Sequence, residues 1–246
     1  MSQDIFVSVL IPAKNEANNL KPLLEEVREA MANEAYEIIV VDDGSTDATL
    51  HELRQIRNSG LSALRILHHA RSLGQSTSLY HAAREARGQW LATLDGDGQN
   101  DPADIPGMLA LVRGEQGRGN VQLVAGHRTN RRDSASKRWA SRFANGLRRR
   151  LLKDATPDTG CGLKLIERVA FLRLPYFDHM HRFIPALIQR HNGRTINYPV
   201  NHRARTAGVS KYGNLDRALV GILDLVGVWW LIKRTRLNAH AQELEG

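Results

Sequence analysis

Trp90-Leu91-Ala92-Thr93-Leu94-Asp95-Gly96-Asp97-Gly98-Gln99 is an apolar run that ends abruptly in two carboxylates and an amide. The spacing predicts a buried strand over 90–95, with the polar residues leaving together at its end. Alternation along an extended chain puts Asp95, Asp97 and Gln99 on one side. Gly96 and Gly98 let the backbone bend around whatever those oxygens hold. Three hard oxygen donors on one side suit Mg²⁺ or Mn²⁺, with the remaining ligands coming from substrate phosphates. Read alone, an Asp-x-Asp is an acidic surface turn. An EF-hand calcium loop fits poorly, because its sixth position would be Asn100 rather than Gly and its twelfth Pro106 rather than Glu.

Working outward, two more strand ends carry polar residues. Phe6-Val7-Ser8-Val9-Leu10-Ile11-Pro12 reads as a first strand, followed by Ala13-Lys14-Asn15-Glu16 and a helical pattern. Tyr36-Glu37-Ile38-Ile39-Val40-Val41 reads as a second, ending in Asp42-Asp43-Gly44-Ser45-Thr46-Asp47. Paired carboxylates at the ends of separate strands are what an open parallel sheet offers a nucleotide, since ligands sit outside the carboxyl edge. Asp42 or Asp43 can accept from a base or ribose, whereas Ser45 and Asp47 are placed as helix N-caps. Neither a GxGxxG nor a GxxxxGK[ST] pattern accompanies them, so no dinucleotide fold or P-loop is supported.

Ile11-Pro12-Ala13-Lys14-Asn15-Glu16, Val41-Asp42-Asp43-Gly44-Ser45-Thr46-Asp47 and Asp95-Gly96-Asp97-Gly98-Gln99, in this order, resemble the inverting nucleotide-sugar glycosyltransferases of GT-A fold. The similarity is greatest to the dolichyl-phosphate mannosyltransferase branch, and it runs from residue 5 to about residue 213. The resemblance implies a nucleotide-sugar donor, a polyprenyl-phosphate acceptor and a divalent metal, Mg²⁺ or Mn²⁺, held by Asp95, Asp97 and Gln99. It places the donor nucleoside against Pro12, Ala13, Asn15, Glu16 and Asp43, with Asp95 shared between nucleotide and metal. Arg205-Thr206-Ala207-Gly208-Val209-Ser210-Lys211 is similar to the family's RxxGxSK element. By that likeness Arg205 and Lys211 close over the donor diphosphate, and Ser210 joins Arg128, Arg138 and Arg142 on the acceptor phosphate. Asp158-Thr159-Gly160-Cys161-Gly162-Leu163 is similar to the family's DxxxGF region, with Leu163 in place of the usual aromatic. Asp158 is then an orienter of acceptor or sugar, a base, or the cap of a turn.

A phosphate oxygen is already an anionic nucleophile, so the acceptor implied here needs cationic positioning more than a strong base. Transfer to a polysaccharide or lipid hydroxyl is the alternative within enzymes, and it would need Asp158 as a true base. A nucleotide-sugar-binding protein without turnover is the alternative outside them. The simplest donor is GDP-mannose, with a UDP-sugar as the other option, because base and sugar are fixed by loop contacts that one sequence does not expose.

The remaining features bound these readings. A chain of 246 residues, 42% hydrophobic and 24% charged, supports one substantial core. Alternating strand and helix patterns up to residue 152 predict an α/β fold with a mostly parallel sheet covered on both faces. The expected division is a transferase domain over 1–213 and a C-terminal interfacial helix and tail over 214–246. One cysteine, Cys161, excludes an internal disulfide and suits a reducing cytoplasm. The first residues, with Asp4 and an amphipathic strand, do not read as a signal peptide. Net charge is +8, and residues 128–153 carry ten Lys or Arg against Asp133 alone. Such a block binds anionic lipid, phosphorylated substrates or nucleic acid; no nucleic-acid-binding motif accompanies it.

Leu219–Ile232 contains only Asp224 as a charge and is followed by Lys233-Arg234-Thr235-Arg236. A helix of that length spans about 21 Å, short of the ~30 Å hydrocarbon core. It is expected either to lie in a membrane interface, with Trp229 and Trp230 at headgroup depth, or to pack on its own sheet. The expected location is the cytoplasmic face of the membrane, peripherally attached.

Overall fold

The computed structural model describes residues 4–114, 119–129, 146, 148–154, 156–203 and 214–235. Strands and helices alternate through the first half: β1 Val7–Ala13, α1 Ala17–Ala30, β2 Tyr36–Asp43, α2 Thr49–Asn58, β3 Leu64–His69, α3 Gln75–Glu85 and β4 Trp90–Thr93. A 3₁₀ turn, Pro102–Asp104, leads into α4 Ile105–Gly114 and β5 Val121–Arg128. Of the helix expected over 134–152, residues 148–152 are described and helical. The stretch 163–172, open between strand and helix, is both: β6 Lys164–Glu167 turns directly into α5 Arg168–Leu172. A second 3₁₀ turn, Met180–Arg182, precedes α6 Ile184–Arg190, β7 Arg194–Val200 and the long α7 Asn214–Arg234.

One seven-stranded sheet runs in the order β3-β2-β1-β4-β6-β5-β7. All neighbours are parallel except those of β6, which runs antiparallel to both β4 and β5. The mostly parallel α/β sheet expected from the sequence is therefore present. Alternation sorts its side chains into two layers. Val7, Val9 and Ile11 of β1 pack with Leu20, Leu24 and Val27 of α1, whereas Leu10 joins Leu79 and Ala83 of α3 on the other face. Each such fully buried aliphatic side chain contributes about 1.5–3 kcal/mol.

Two features of this topology make a site. The strand order reverses between β1 and β4, which opens a crevice at their carboxyl ends. The reversed direction of β6 then brings its incoming loop, residues 156–163, to that same edge. Thr93, the last residue of β4, lies opposite Lys164, the first of β6.

Candidate active site

At the end of β4 the chain does not stay extended. Gly98 sits at φ +72° and residues 95–99 form a turn, so strict alternation does not govern Asp95, Asp97 and Gln99. They are held together by other means. Asp97 Oδ1 accepts from the Gln99 amide at 3.2 Å, and the Asp95 amide donates to Asn100 Oδ1 at 3.1 Å. Gln75 Nε2, from the start of α3, donates to Asp95 Oδ1 at 2.9 Å. Burial raises the pKa of Asp95, and the neighbouring Asp97 charge raises it further. A buried carboxyl whose ionisation is opposed by burial and by a neighbouring carboxylate, with an amide oxygen two residues beyond, fits a divalent cation that completes its shell with phosphates. Among the described residues no group of three or more His, Cys, Asp or Glu is placed to hold a metal by itself.

The β1 and β2 ends are tied to each other. Asn15, in the left-handed region at φ +55°, donates its amide to Ser45 Oγ at 2.9 Å and accepts from the Thr46 amide at 2.8 Å. Glu16 donates its amide to Thr49 Oγ1 and accepts from Asn19 at its own carboxylate. Ser45, expected as an N-cap, is thus a bridge between loops; α2 begins later, at Thr49, with Ala48 as its uncapped N-terminal residue. Asp47 does satisfy the Thr49 amide, at 3.0 Å, and also reaches the Ala17 amide.

Asp43, expected against the donor nucleoside, has four hydrogen-bond partners within the protein. Its Oδ1 accepts from His69 Nδ1 and the Leu73 amide, and its Oδ2 from Ser72 Oγ and the Gly74 amide, all at 2.7–3.0 Å. Burial pushes this carboxyl's pKa up, but the four bonds outweigh it and hold the group below the ordinary range. Three of its four acceptor sites are spent on the 72–74 loop and the fourth on His69, so Asp43 ties that loop to the end of β2. Gly44, at φ +64°, allows this close approach, since a Cβ there would meet Arg71 and Ser72 backbone at 2.6 Å.

Arg128, expected on the acceptor phosphate, and Asp158, expected as an orienter of acceptor or sugar, a base or a turn cap, are partners of each other. Arg128 Nε and Nη2 grip the two carboxylate oxygens at 2.7 and 2.8 Å, and the Arg128 amide adds a third bond at 3.3 Å. A carboxylate held bidentately by a guanidinium is a weak base. Pro12 and Ala13 end β1 beside Val41 and Asp42, and Pro12 O lies 3.0 Å from where a Gly96 Cβ would stand. Arg138, Arg142, Arg205, Ser210 and Lys211 lie outside the described residues.

Several residues the sequence did not single out complete the edge. Gly162 lies so close to Asp95 that a Cβ would stand 2.1 Å from its Oδ2. Lys164 is buried and donates to the Cys161 carbonyl. A charge inside the apolar run Leu163-Lys164-Leu165-Ile166 was the available signal. His68 and His69 have no metal spacing, yet they pair with Asp42 and Asp43 at 2.8 Å across adjacent strands. Beneath Asp95, on the α3 and α6 side of the sheet, a cavity of about 120 Å³ is lined by residues that include Thr93, Thr159, Lys164, His181 and Arg182.

Residues 8–174 match the family described as "Glycosyl transferase family 2". The chain is 38% identical over 244 residues to the dodecaprenyl-phosphate galacturonate synthase of Rhizobium johnstonii, covering 97% of this chain and 70% of that one. It is 34% identical over 223 residues to the undecaprenyl-phosphate 4-deoxy-4-formamido-L-arabinose transferase of Edwardsiella ictaluri, covering 90% and 67%. Among solved structures it is similar to glucosyl-3-phosphoglycerate synthase from Mycobacterium tuberculosis, with a TM-score of 0.64 at 20% identity, over 93% of this chain and 80% of that one. That relative was crystallised with Mn²⁺, UDP-glucose and glycerol 3-phosphate. The chain therefore belongs to glycosyltransferase family 2, has the GT-A fold, and is a nucleotide-sugar-dependent transferase related to the polyprenyl-phosphate sugar transferases.

Proposed function

We propose that this enzyme moves a sugar from a nucleotide-diphosphate sugar to a polyprenyl phosphate with inversion. The observation that carries this reading is the convergence, at one sheet edge, of the Asp95–Gln99 turn, the Arg128–Asp158 pair and the cavity beneath Asp95. Asp95, Asp97 and Gln99 would hold Mg²⁺ or Mn²⁺, whose charge neutralises a departing diphosphate. Pro12, Ala13, Asn15 and Glu16 border the nucleoside. The acceptor brings its own anionic oxygen, which accords with Asp158 being committed to Arg128; a sugar hydroxyl would require a base that this pairing weakens. The test is a screen of sugar nucleotides with Mg²⁺ and a short polyprenyl phosphate, reading products by mass. A polyprenyl-phosphate sugar of inverted anomeric configuration is expected; transfer only to hydroxyl acceptors, or binding without transfer, overturns the reading.

Arg205 and Lys211 are assigned to the donor diphosphate on the sequence, and the neighbouring chain supports it. The Arg203 amide donates to the Gln99 carbonyl at 3.0 Å, and Asn100 bridges to His202. His202 and Arg203, the last described residues before Arg205 in the sequence, thus lie at the rim of the Asp95–Gln99 turn. Arg205→Ala and Lys211→Ala should each lower kcat on the order of 10²-fold, as for other groups that stabilise transition-state charge. The melting temperature should hold. A collapsed melting temperature with normal specific activity in the folded fraction would make the segment structural.

The acceptor's lipid tail requires a membrane surface, and α7 has a face for one. No helix of the described residues is long and apolar enough to cross a membrane. Leu225 and Val228 seat α7 on the core, while Leu223 is 72% and Trp230 55% exposed. The two tryptophans, expected to act together, divide: Trp229 packs against the core layer beneath Lys233, and only Trp230 stands out. We place this face on the cytoplasmic leaflet, where Lys233 and Arg234 favour anionic lipid by about 1 kcal/mol each. Trp230→Ser should reduce flotation with anionic vesicles and activity on long-chain acceptors, sparing a short soluble acceptor. Equal losses on both acceptors with unchanged flotation would assign the residue to folding.

A further inference from the structure

We infer that His181 reads the transferred sugar, its Nε2–H donating to one hydroxyl oxygen of that sugar in the cavity beneath Asp95. Ser76 is the positioning residue that fixes which ring nitrogen carries the proton. The inference rests on the donor site proposed above. With the diphosphate on the Asp95–Gln99 turn and the nucleoside along the β1 and β2 ends, the sugar is left on the third side of Asp95. The cavity, about 120 Å³, opens there between the ends of β4 and β6, the 159–162 loop, the start of α3 and the Met180–Arg182 turn. Leu91 of β4 faces the α3 layer, and Thr93 keeps that parity onto the cavity wall.

The hydrogen bonds around the ring decide its tautomer. Ser76, in the first turn of α3, is fully buried. Its Oγ lies 2.8 Å from His181 Nδ1 and accepts from the His181 main-chain amide at 3.3 Å. A hydroxyl has one proton to give, and Nδ1 is the acceptor that the described residues offer it. Were Nδ1 protonated instead, that proton would be buried without a partner. Nδ1 is therefore the acceptor, and Nε2 carries the hydrogen. Nε2 meets no partner among the described residues and is not one of the polar atoms sealed from solvent, so it opens into the cavity that the ring lines. Burial keeps the imidazole neutral: with the nearby cations Arg182 and Lys164, and His179, it lowers the pKa to about 3. Neighbouring polar groups are already engaged, Thr93 Oγ1 with the Gly162 carbonyl at 2.6 Å and Gln75 Nε2 with Asp95. The wall thus presents an uncharged N–H of fixed direction. Such a donor suits a neutral hydroxyl oxygen, whereas phosphates are held by cations and metal.

The donor accepted in the screen above, with Mg²⁺ and a short polyprenyl phosphate, is compared with its monodeoxy analogues, one for each sugar hydroxyl. One analogue should lose at least about tenfold in kcat/KM, because it leaves the His181 N–H unpaired. His181→Ala should lower kcat/KM for the parent donor by a similar factor and leave that analogue nearly unchanged, so that the two losses do not add. His181→Gln, which keeps an N–H donor, should recover part of the parent's rate with a melting temperature near wild type. Ser76→Ala should erode the same discrimination and no other, with UDP or GDP affinity unchanged. The discrimination should persist from about pH 5.5 to 8.5, a range in which an ordinary imidazole titrates and this one does not. A wild type indifferent to every deoxy analogue overturns the inference. Losses for His181→Ala shared equally by all donors, or weakened UDP or GDP binding, refute it by assigning the ring to folding or to the diphosphate. In each of these cases the transferase reading stands; transfer from no donor overturns that reading and the inference with it.

Discussion

Asp97→Ala should abolish sugar transfer and remove the Mg²⁺-dependent part of nucleotide-diphosphate binding, while leaving the melting temperature near that of the wild type. Asp97 is half-buried on a turn and accepts from a main-chain amide two residues away. Its contribution to the apolar core is therefore small. Its chemical contribution is large, because a diphosphate in a water-poor crevice loses a counter-charge that nothing neutral replaces. A loss of at least 10³-fold in kcat is expected, against a milder loss for Gln99→Ala, which removes a neutral oxygen. Binding of a nucleoside diphosphate followed with and without chelator is the check. Full wild-type activity in chelator would remove the metal from the account.

Gly162→Ala should cost on the order of 10²-fold in kcat through geometry alone. The added Cβ would stand 2.1 Å from Asp95 Oδ2, 2.5 Å from its Cγ and 2.7 Å from Asn100 Oδ1. Asp95 is a short side chain anchored by Gln75, and Asn100 is anchored by the Asp95 amide, so neither can swing clear cheaply. One of them must move by about an ångström, a displacement that costs roughly 10²-fold when it falls on a reacting constellation. Steady-state kinetics with a melting curve distinguishes this from unfolding. Activity within twofold of the wild type would mean that the orientation of Asp95 is immaterial.

Most of the scaffold was legible because it is local. Strands such as Phe6–Pro12 and Tyr36–Val41 declare themselves by apolar runs closed by polar residues, and the α/β alternation follows from their spacing. The antiparallel placement of β6 was not legible. Its partners are Trp90–Thr93 and Leu123–Ala125, and nothing in Leu163–Leu172 encodes direction. That one reversal carries Gly162 and Lys164 to the site, so the residues missed are those whose role depends on pairing with distant strands. The same reason hid the histidines: His69 and Asp43 are 26 positions apart and meet only in the sheet. Where a local rule failed, a tertiary bond outcompeted it. Ser45 bridges to Asn15 rather than capping α2, and glycine at position 98 turns a chain that strict alternation would extend.

The claim on which the rest depends is that the donor diphosphate is held by a cation at the Asp95–Gln99 turn, between the β1 end and the loop that enters β6. Crystals grown with Mn²⁺ and UDP or GDP, with anomalous data collected at the manganese edge, test it most directly. The account predicts one strong anomalous peak within coordination distance of the Asp97 carboxylate, bridging to both phosphates, with the nucleoside directed toward Pro12 and Asn15. A nucleotide bound with no peak at that turn, or a peak elsewhere with the diphosphate turned away from Asp97, would contradict it.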